Sequence, residues 1–127
     1  MSKISIVCVG KIKEKYLKDG IAEYLKRLQR YADVEIIEVA DEQTPHNASA
    51  AEEEQIKEIE GERIRKHIKE DTYLIALAIE GQSVTSEQLA NKIEQLGLQG
   101  KSHITLLIGG SLGLDKKLLQ KADYLLW

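Results

Sequence analysis

Apolar residues along this chain fall into short β-branched runs separated by stretches of helical spacing. Ile4-Ser5-Ile6-Val7-Cys8-Val9 ends at Gly10 and predicts a first, buried strand. Leu17, Ile21, Tyr24, Leu25 and Leu28 then recur at the spacing of an amphipathic helix, with Lys18, Lys26, Arg27 and Arg30 on its other face. Val34 to Val39 predicts a second strand. The segment 40–50 turns polar around Pro45 and predicts a loop. Ser49 with Glu52 forms a capping-box pattern that opens a long helix running to about Lys69. Tyr73 to Ile79 is the most apolar segment and predicts a third strand, closed by a turn at Glu80-Gly81-Gln82-Ser83.

Thr85 with Gln88 is a second capping box, with Val84 and Leu89 placed as its hydrophobic staple. The helix it opens passes through Ile93 and Leu96 and should stop at Gly97. A fourth strand at Ile104 to Ile108 runs into Gly109-Gly110-Ser111-Leu112-Gly113. A short helix from about Asp115 to Lys121 leads to a fifth strand at Asp123 to Trp127. Alternating strands and helices predict an α/β class with an open, mainly parallel sheet flanked by helices, in a single domain over residues 1–127.

Composition adds little to that class and more to the location. With no Phe and one Trp, the core must be built from Leu, Ile and Val. Cys8 has no partner and sits in an apolar run, as a buried thiol in a reducing compartment does. No membrane span or signal-peptide pattern is visible, so a cytoplasmic protein is expected. The net charge of −3 argues against a generally cationic coat for nucleic acid. Its distribution is uneven: residues 1–30 carry eight Lys or Arg against three acids, whereas 31–62 carry one against eleven. An RNA-facing surface could occupy the N-terminal third, and solvated helix faces account for the same charges. The long helix is acidic at its start (Glu52, Glu53, Glu54, Glu58) and basic at its end (Arg63, Arg65, Lys66, Lys69), which matches the helix dipole and carries no chemistry of its own. Gly61 in its middle marks a close packing contact.

Candidate chemistry is sparse. No Walker sequence and no G-x-G-x-x-G follows the first strand, so triphosphate and dinucleotide sites are unsupported. His46, His67 and His103 are scattered, without metal-ligand spacing, and His103 reads as a surface residue. Ser111 lacks a nucleophile-elbow context. Three turns remain: Gly10 with its lysines, Glu80-Gly81, and Gly109 to Gly113. Each follows a strand, so all three should share the sheet edge where open α/β folds bind ligands. The last of them is equally consistent with a tight turn that holds nothing.

Several segments together resemble the ribosomal RNA large subunit methyltransferase H family. They are Val7-Cys8-Val9-Gly10-Lys11-Ile12-Lys13-Glu14-Lys15-Tyr16, Ile21-Ala22-Glu23-Tyr24, Arg27-Leu28, Glu60-Gly61, Leu77 to Gly81, and Leu107-Ile108-Gly109-Gly110-Ser111 followed by Gly113-Leu114. The resemblance runs from end to end of the chain. It implies a SPOUT-class homodimer that uses S-adenosylmethionine to methylate N3 of a pseudouridine in 23S ribosomal RNA. It also implies that Leu77, Gly109 and Gly110 meet the methyl donor and that Lys11 and Lys13 meet the RNA; it assigns no catalytic residue and no metal. Members of the family continue past the position of Trp127 with a segment that threads a trefoil knot. A chain lacking that segment is expected to transfer methyl groups weakly or not at all. Two other readings follow from the residues alone. One is a non-catalytic module holding a phosphate or small anion at the Gly109–Gly113 turn. The other is a ligand-free folding fragment with apolar surface exposed near Trp127.

Overall fold

A computed structural model describes residues 2–10, 19, 23, 26, 27, 29, 30, 32–83 and 85–126. Five strands form one sheet: β1 (Ser2–Val9), β2 (Ala32–Val39), β3 (Tyr73–Gln82), β4 (His103–Ile108) and β5 (Tyr124–Leu126). Their spatial order is β2-β1-β4-β3-β5, and all four pairings are parallel. Three helices are described, α1 (Ala50–Arg65), α2 (Ser86–Leu98) and α3 (Lys116–Lys121). The predicted helix on Leu17, Ile21, Tyr24, Leu25 and Leu28 has all five of those positions outside the described residues.

The near-continuous apolar strands are explained by cover on both faces. On one face Ile4, Ile6, Ile75 and Ile104 pack with Leu89, Ile93 and Leu96 of α2. On the other, Val7, Val9, Leu74, Ala76 and Leu107 pack with Ile64 of α1 and Leu118 of α3. Both capping boxes form as predicted, at Ser49 with Glu52 and at Thr85 with Gln88. Val84 of the expected staple lies outside the described residues.

Three boundaries differ from expectation. The long helix ends at Arg65 rather than near Lys69. Helix α2 runs through Gly97 and is closed instead by Gly100, at φ +87°, while the Lys101 N–H bonds to Leu96 O at 2.9 Å. A glycine is needed at the left-handed position after the last turn, and Gly100 supplies it. The segment Glu80-Gly81-Gln82 is not a turn, because β3 continues to Gln82. Leu77 and Gln82 both pair with Leu126, so the strand makes a bulged excursion between them.

Helix α1 is tied to its surroundings by charge as well as by packing. Arg63 donates to Ala40 O at 2.9 Å and pairs with Glu42 at 2.6 Å, and Arg65 reaches the buried Asp115 at 3.1 Å. The basic end of the helix therefore does more than complement the dipole. Asp115 also caps α3 by accepting from the Lys117 N–H. Gly61 lies against it, and a Cβ there would stand 3.0 Å from Asp115 Oδ2.

His103 is not a free surface residue. It is half-buried in β4, at the centre of a polar row across the start of the sheet. Ser5 donates its hydroxyl to Glu35 at 2.8 Å, so the 3.3 Å contact with His103 Nε2 requires a proton on that nitrogen. Nδ1 lies 2.7 Å from the Thr72 hydroxyl, which also donates to His103 O at 3.3 Å and shares a 2.7 Å hydrogen bond with the fully buried Thr105. Burial lowers the His103 pKa, and Lys69 and Lys3 lower it further against Asp71 and Glu35.

Two outcomes follow. Gly61→Ala should gain about 1 kcal/mol of helix propensity yet come out destabilising in urea unfolding, because Asp115 is pinned by Arg65 and by its cap; a net gain would mean that Asp115 yields. A histidine harder to protonate when folded stabilises the protein above its unfolded pKa and loses that contribution as pH falls. The unfolding free energy should thus decline as pH drops through about 6.5 and below, and His103→Gln should remove part of that slope. An unchanged slope in the variant would contradict this.

Candidate functional site

Parallel pairing puts the carboxyl ends of the strands on one edge of the sheet, and the register says which residues meet there. Cys8 of β1 stands opposite Ile108 of β4, so Val9-Gly10 and Gly109-Gly110 leave the sheet side by side. Ala76 of β3 stands opposite Leu107, which places Leu77 one step on, next to Ile108 and the start of the glycine turn. Gly10, Leu77, Gly109 and Gly110 thus lie along one rim. Lys11 and Lys13, which follow Gly10, lie outside the described residues.

The glycine turn is closed main chain to main chain. Gly110 and Gly113 form an antiparallel bridge, with the Gly113 N–H donating to Gly110 O at 3.0 Å. A Cβ on Gly109 would stand 2.6 Å from the Gly113 carbonyl carbon, inside any permitted contact. Gly110 is half-buried, and a Cβ there would stand 3.2 Å from Val9 Cγ1 and 3.3 Å from Glu60 Oε1. Glycine at 109 is thus demanded by the closure of the turn itself, and half-buried Leu77 flanks that turn at the rim. Gly81, beneath the bulge in β3, is equally crowded, at 2.5 Å from the Leu126 carbonyl carbon.

Glu60 is the residue that reasoning from spacing passed over. It sits on α1 and is 5% exposed. One carboxylate oxygen, Oε2, accepts the Glu42 N–H at 2.9 Å. Burial raises its pKa; the Glu42 N–H and Arg63 oppose that rise, whereas Asp41 and Glu42 add to it through their charges. The available signal was its place beside Gly61, on the same helix face as the apolar Ile56 and Ile64 at i−4 and i+4.

The remaining candidates resolve simply. Cys8 is buried, its thiol directed at Ile37 O at 3.7 Å, and burial followed by the charge of Glu38 pushes its pKa up, the reverse of an activated thiol. Among the described residues no group of three or more His, Cys, Asp or Glu is arranged to hold a metal ion. An anion at the start of α3 would face the Asp115 carboxylate, which already occupies that helix end. Among the described residues the large apolar side chains that stand exposed are Ile36, Ile59 and Leu98, on β2, α1 and α2 rather than beside β5. A cavity of about 390 Å³ opens at the other end of β3, around Lys69, Thr72 and Lys121, away from the glycine rim.

Residues 2–127 match the family model described as Predicted SPOUT methyltransferase. The chain is 64% identical over 124 residues to the ribosomal RNA large subunit methyltransferase H of Bifidobacterium adolescentis, covering 98% of this chain and 78% of that protein. It is 58% identical over 124 residues to the protein of the same name from Streptococcus uberis, with 98% and 78% covered. The corresponding protein of Acetivibrio thermocellus is 56% identical over 122 residues, with 96% and 77% covered. A parallel sheet with a glycine-rich rim, matched by this family model over nearly every residue, means that the chain belongs to the SPOUT methyltransferases, in the ribosomal RNA large subunit methyltransferase H family.

Proposed function

We propose that this chain, as a cytoplasmic α/β domain acting in a homodimer, uses S-adenosylmethionine to methylate N3 of a pseudouridine in 23S ribosomal RNA. The observation that carries the reading is the register that brings Leu77 beside Gly109 and Gly110 on neighbouring strand ends. The fit to the donor is supported by the turn itself: main chain without side chains at Gly109 and Gly110, an apolar neighbour in Leu77, and the carboxylate of Glu60 against Gly110. When bound, the donor supplies a methyl group already activated by the positive sulfur.

The work left to the protein is alignment and exclusion of water. Leu77 gives an apolar wall suited to the adenine or its neighbourhood. Gly109 and Gly110 let the backbone come close, and their amides and carbonyls supply polar contacts without side-chain entropy. Lys11 and Lys13, which follow Gly10 in sequence, would meet the phosphates of the RNA. The donor needs no acid or metal to activate it, whereas N3 must give up its proton as its bond to the methyl carbon forms and the S–CH3 bond breaks; no residue of the rim is assigned that proton, which passes to bulk water. The competing reading, an anion held at the Gly109–Gly113 turn, is disfavoured by Asp115 at the start of α3.

Calorimetric titration should show saturable one-site binding of S-adenosylmethionine and S-adenosylhomocysteine, undisturbed by inorganic phosphate. Incubation with ribosomes lacking the modification should add one methyl group to a pseudouridine of 23S RNA, an outcome that would set aside the weak or absent transfer expected of a chain without the knot-threading segment. Displacement by phosphate, or no binding of either compound, would overturn the reading. Gly109→Ala should abolish that binding and lower the thermal midpoint, since its Cβ would be driven into the Gly113 backbone; binding kept at wild-type strength would remove this turn from the site.

A further inference from the structure

We infer that Glu60 is the charge-recognition residue of the rim, its free carboxylate oxygen directed to the positive sulfur of the methyl donor. The inference rests on the reading of the rim as the donor site and goes beyond it by naming what distinguishes the donor from its demethylated product. Glu60 is nearly fully buried as a residue, yet among the described residues no buried side-chain oxygen lacks a hydrogen-bond partner, so a carboxylate oxygen that accepts no bond is one still open to solvent or ligand. Oε2 accepts the Glu42 N–H and Oε1 accepts no bond among the described residues; both flank Gly110, 3.4 and 3.3 Å from where its Cβ would stand, so Oε1 is the one left to turn to the rim. Gly110 carries no side chain to fill the space between that oxygen and the rim.

The surrounding charge has the sign a cation selects. Asp41 stands under Gly10, where a Cβ would come within 3.5 Å of its side chain. Glu42 is the other acid of that loop, and it is neutralised by Arg63, which faces Glu60 from the same helix. The β4 turn from Gly109 to Leu114 contributes no titratable side chain, and Asp115 beyond it is paired with Arg65. Asp41 and Glu60 are therefore the acids of this corner with no ion pair among the described residues, Arg63 being engaged by Glu42 while still acting on Glu60 from a distance. A sulfonium placed against Gly110 would gain from Glu60, and a neutral thioether would not.

The test compares S-adenosylmethionine with S-adenosylhomocysteine, which lacks only the methyl group and its charge. By calorimetry, Glu60→Gln should weaken the sulfonium compound by about tenfold or more and the thioether by less than about threefold. The wild-type protein provides a second readout free of any folding defect in the variant. Its preference for the charged compound should shrink as pH falls and Glu60 takes up a proton, beginning above the ordinary carboxylate range because burial raises that pKa. Equal weakening of both compounds, or a wild-type preference that does not change with pH, would overturn the role of Glu60 while leaving the donor site standing. Failure of the wild-type chain to bind either compound would overturn both.

Discussion

All five strands point the same way, and that single constraint organises everything else in the molecule. Parallel neighbours cannot be joined by tight hairpins, so each connection crosses a face of the sheet and returns to its starting edge. The helices are thereby forced onto the two faces, and the turns that leave the strands are forced onto one edge. The glycine turn, the bulge after Leu77 and the bend at Gly10 are neighbours for this reason, although they lie far apart in sequence. No side-chain interaction had to bring them together.

Helix α1 fixes the depth of that edge. Ile64 is buried against the sheet, while Glu60, Arg63 and Arg65 reach the loop after β2 and the approach to α3. Polar groups drawn into a core are costly unless satisfied, and each of these contacts is made to main chain or to an opposite charge. The helix works as a strut with apolar packing along its length and charged ties at one end. Gly61 lets it lie close enough for those ties to form.

Much of this was legible in the residues and some was not. Strand and helix identity followed from β-branched runs and capping boxes, because those signals are local: Ser49 with Glu52 and Thr85 with Gln88 form as written. The site was legible to the extent that a strand end can be read from a glycine. The strand order was not, since nothing within β1 states that β4 will lie beside it. His103 and Glu60 were misjudged or missed for one common reason. A polar residue in a sequence window looks solvent-facing until the strands beside it are known, and here Thr72, Ser5 and the Glu42 backbone arrive from distant segments. Gly97 and Gly100 show the limit of punctuation, as both fit a helix end and only backbone closure decides.

The shared pairing of Leu77 and Gln82 with Leu126 gives this edge an internal fastening. Six residues of β3 are drawn into a noose whose knotting point is one amino acid on a three-residue border strand. Gly81 inside the noose lies against the backbone of Leu125 and Leu126, so loosening it means parting β5 from β3, an event at the border of the sheet and short of unfolding the domain. Leu77 is for that reason mounted where an edge pairing holds the sheet, whereas the turn at Gly109 and Gly110 follows a central strand.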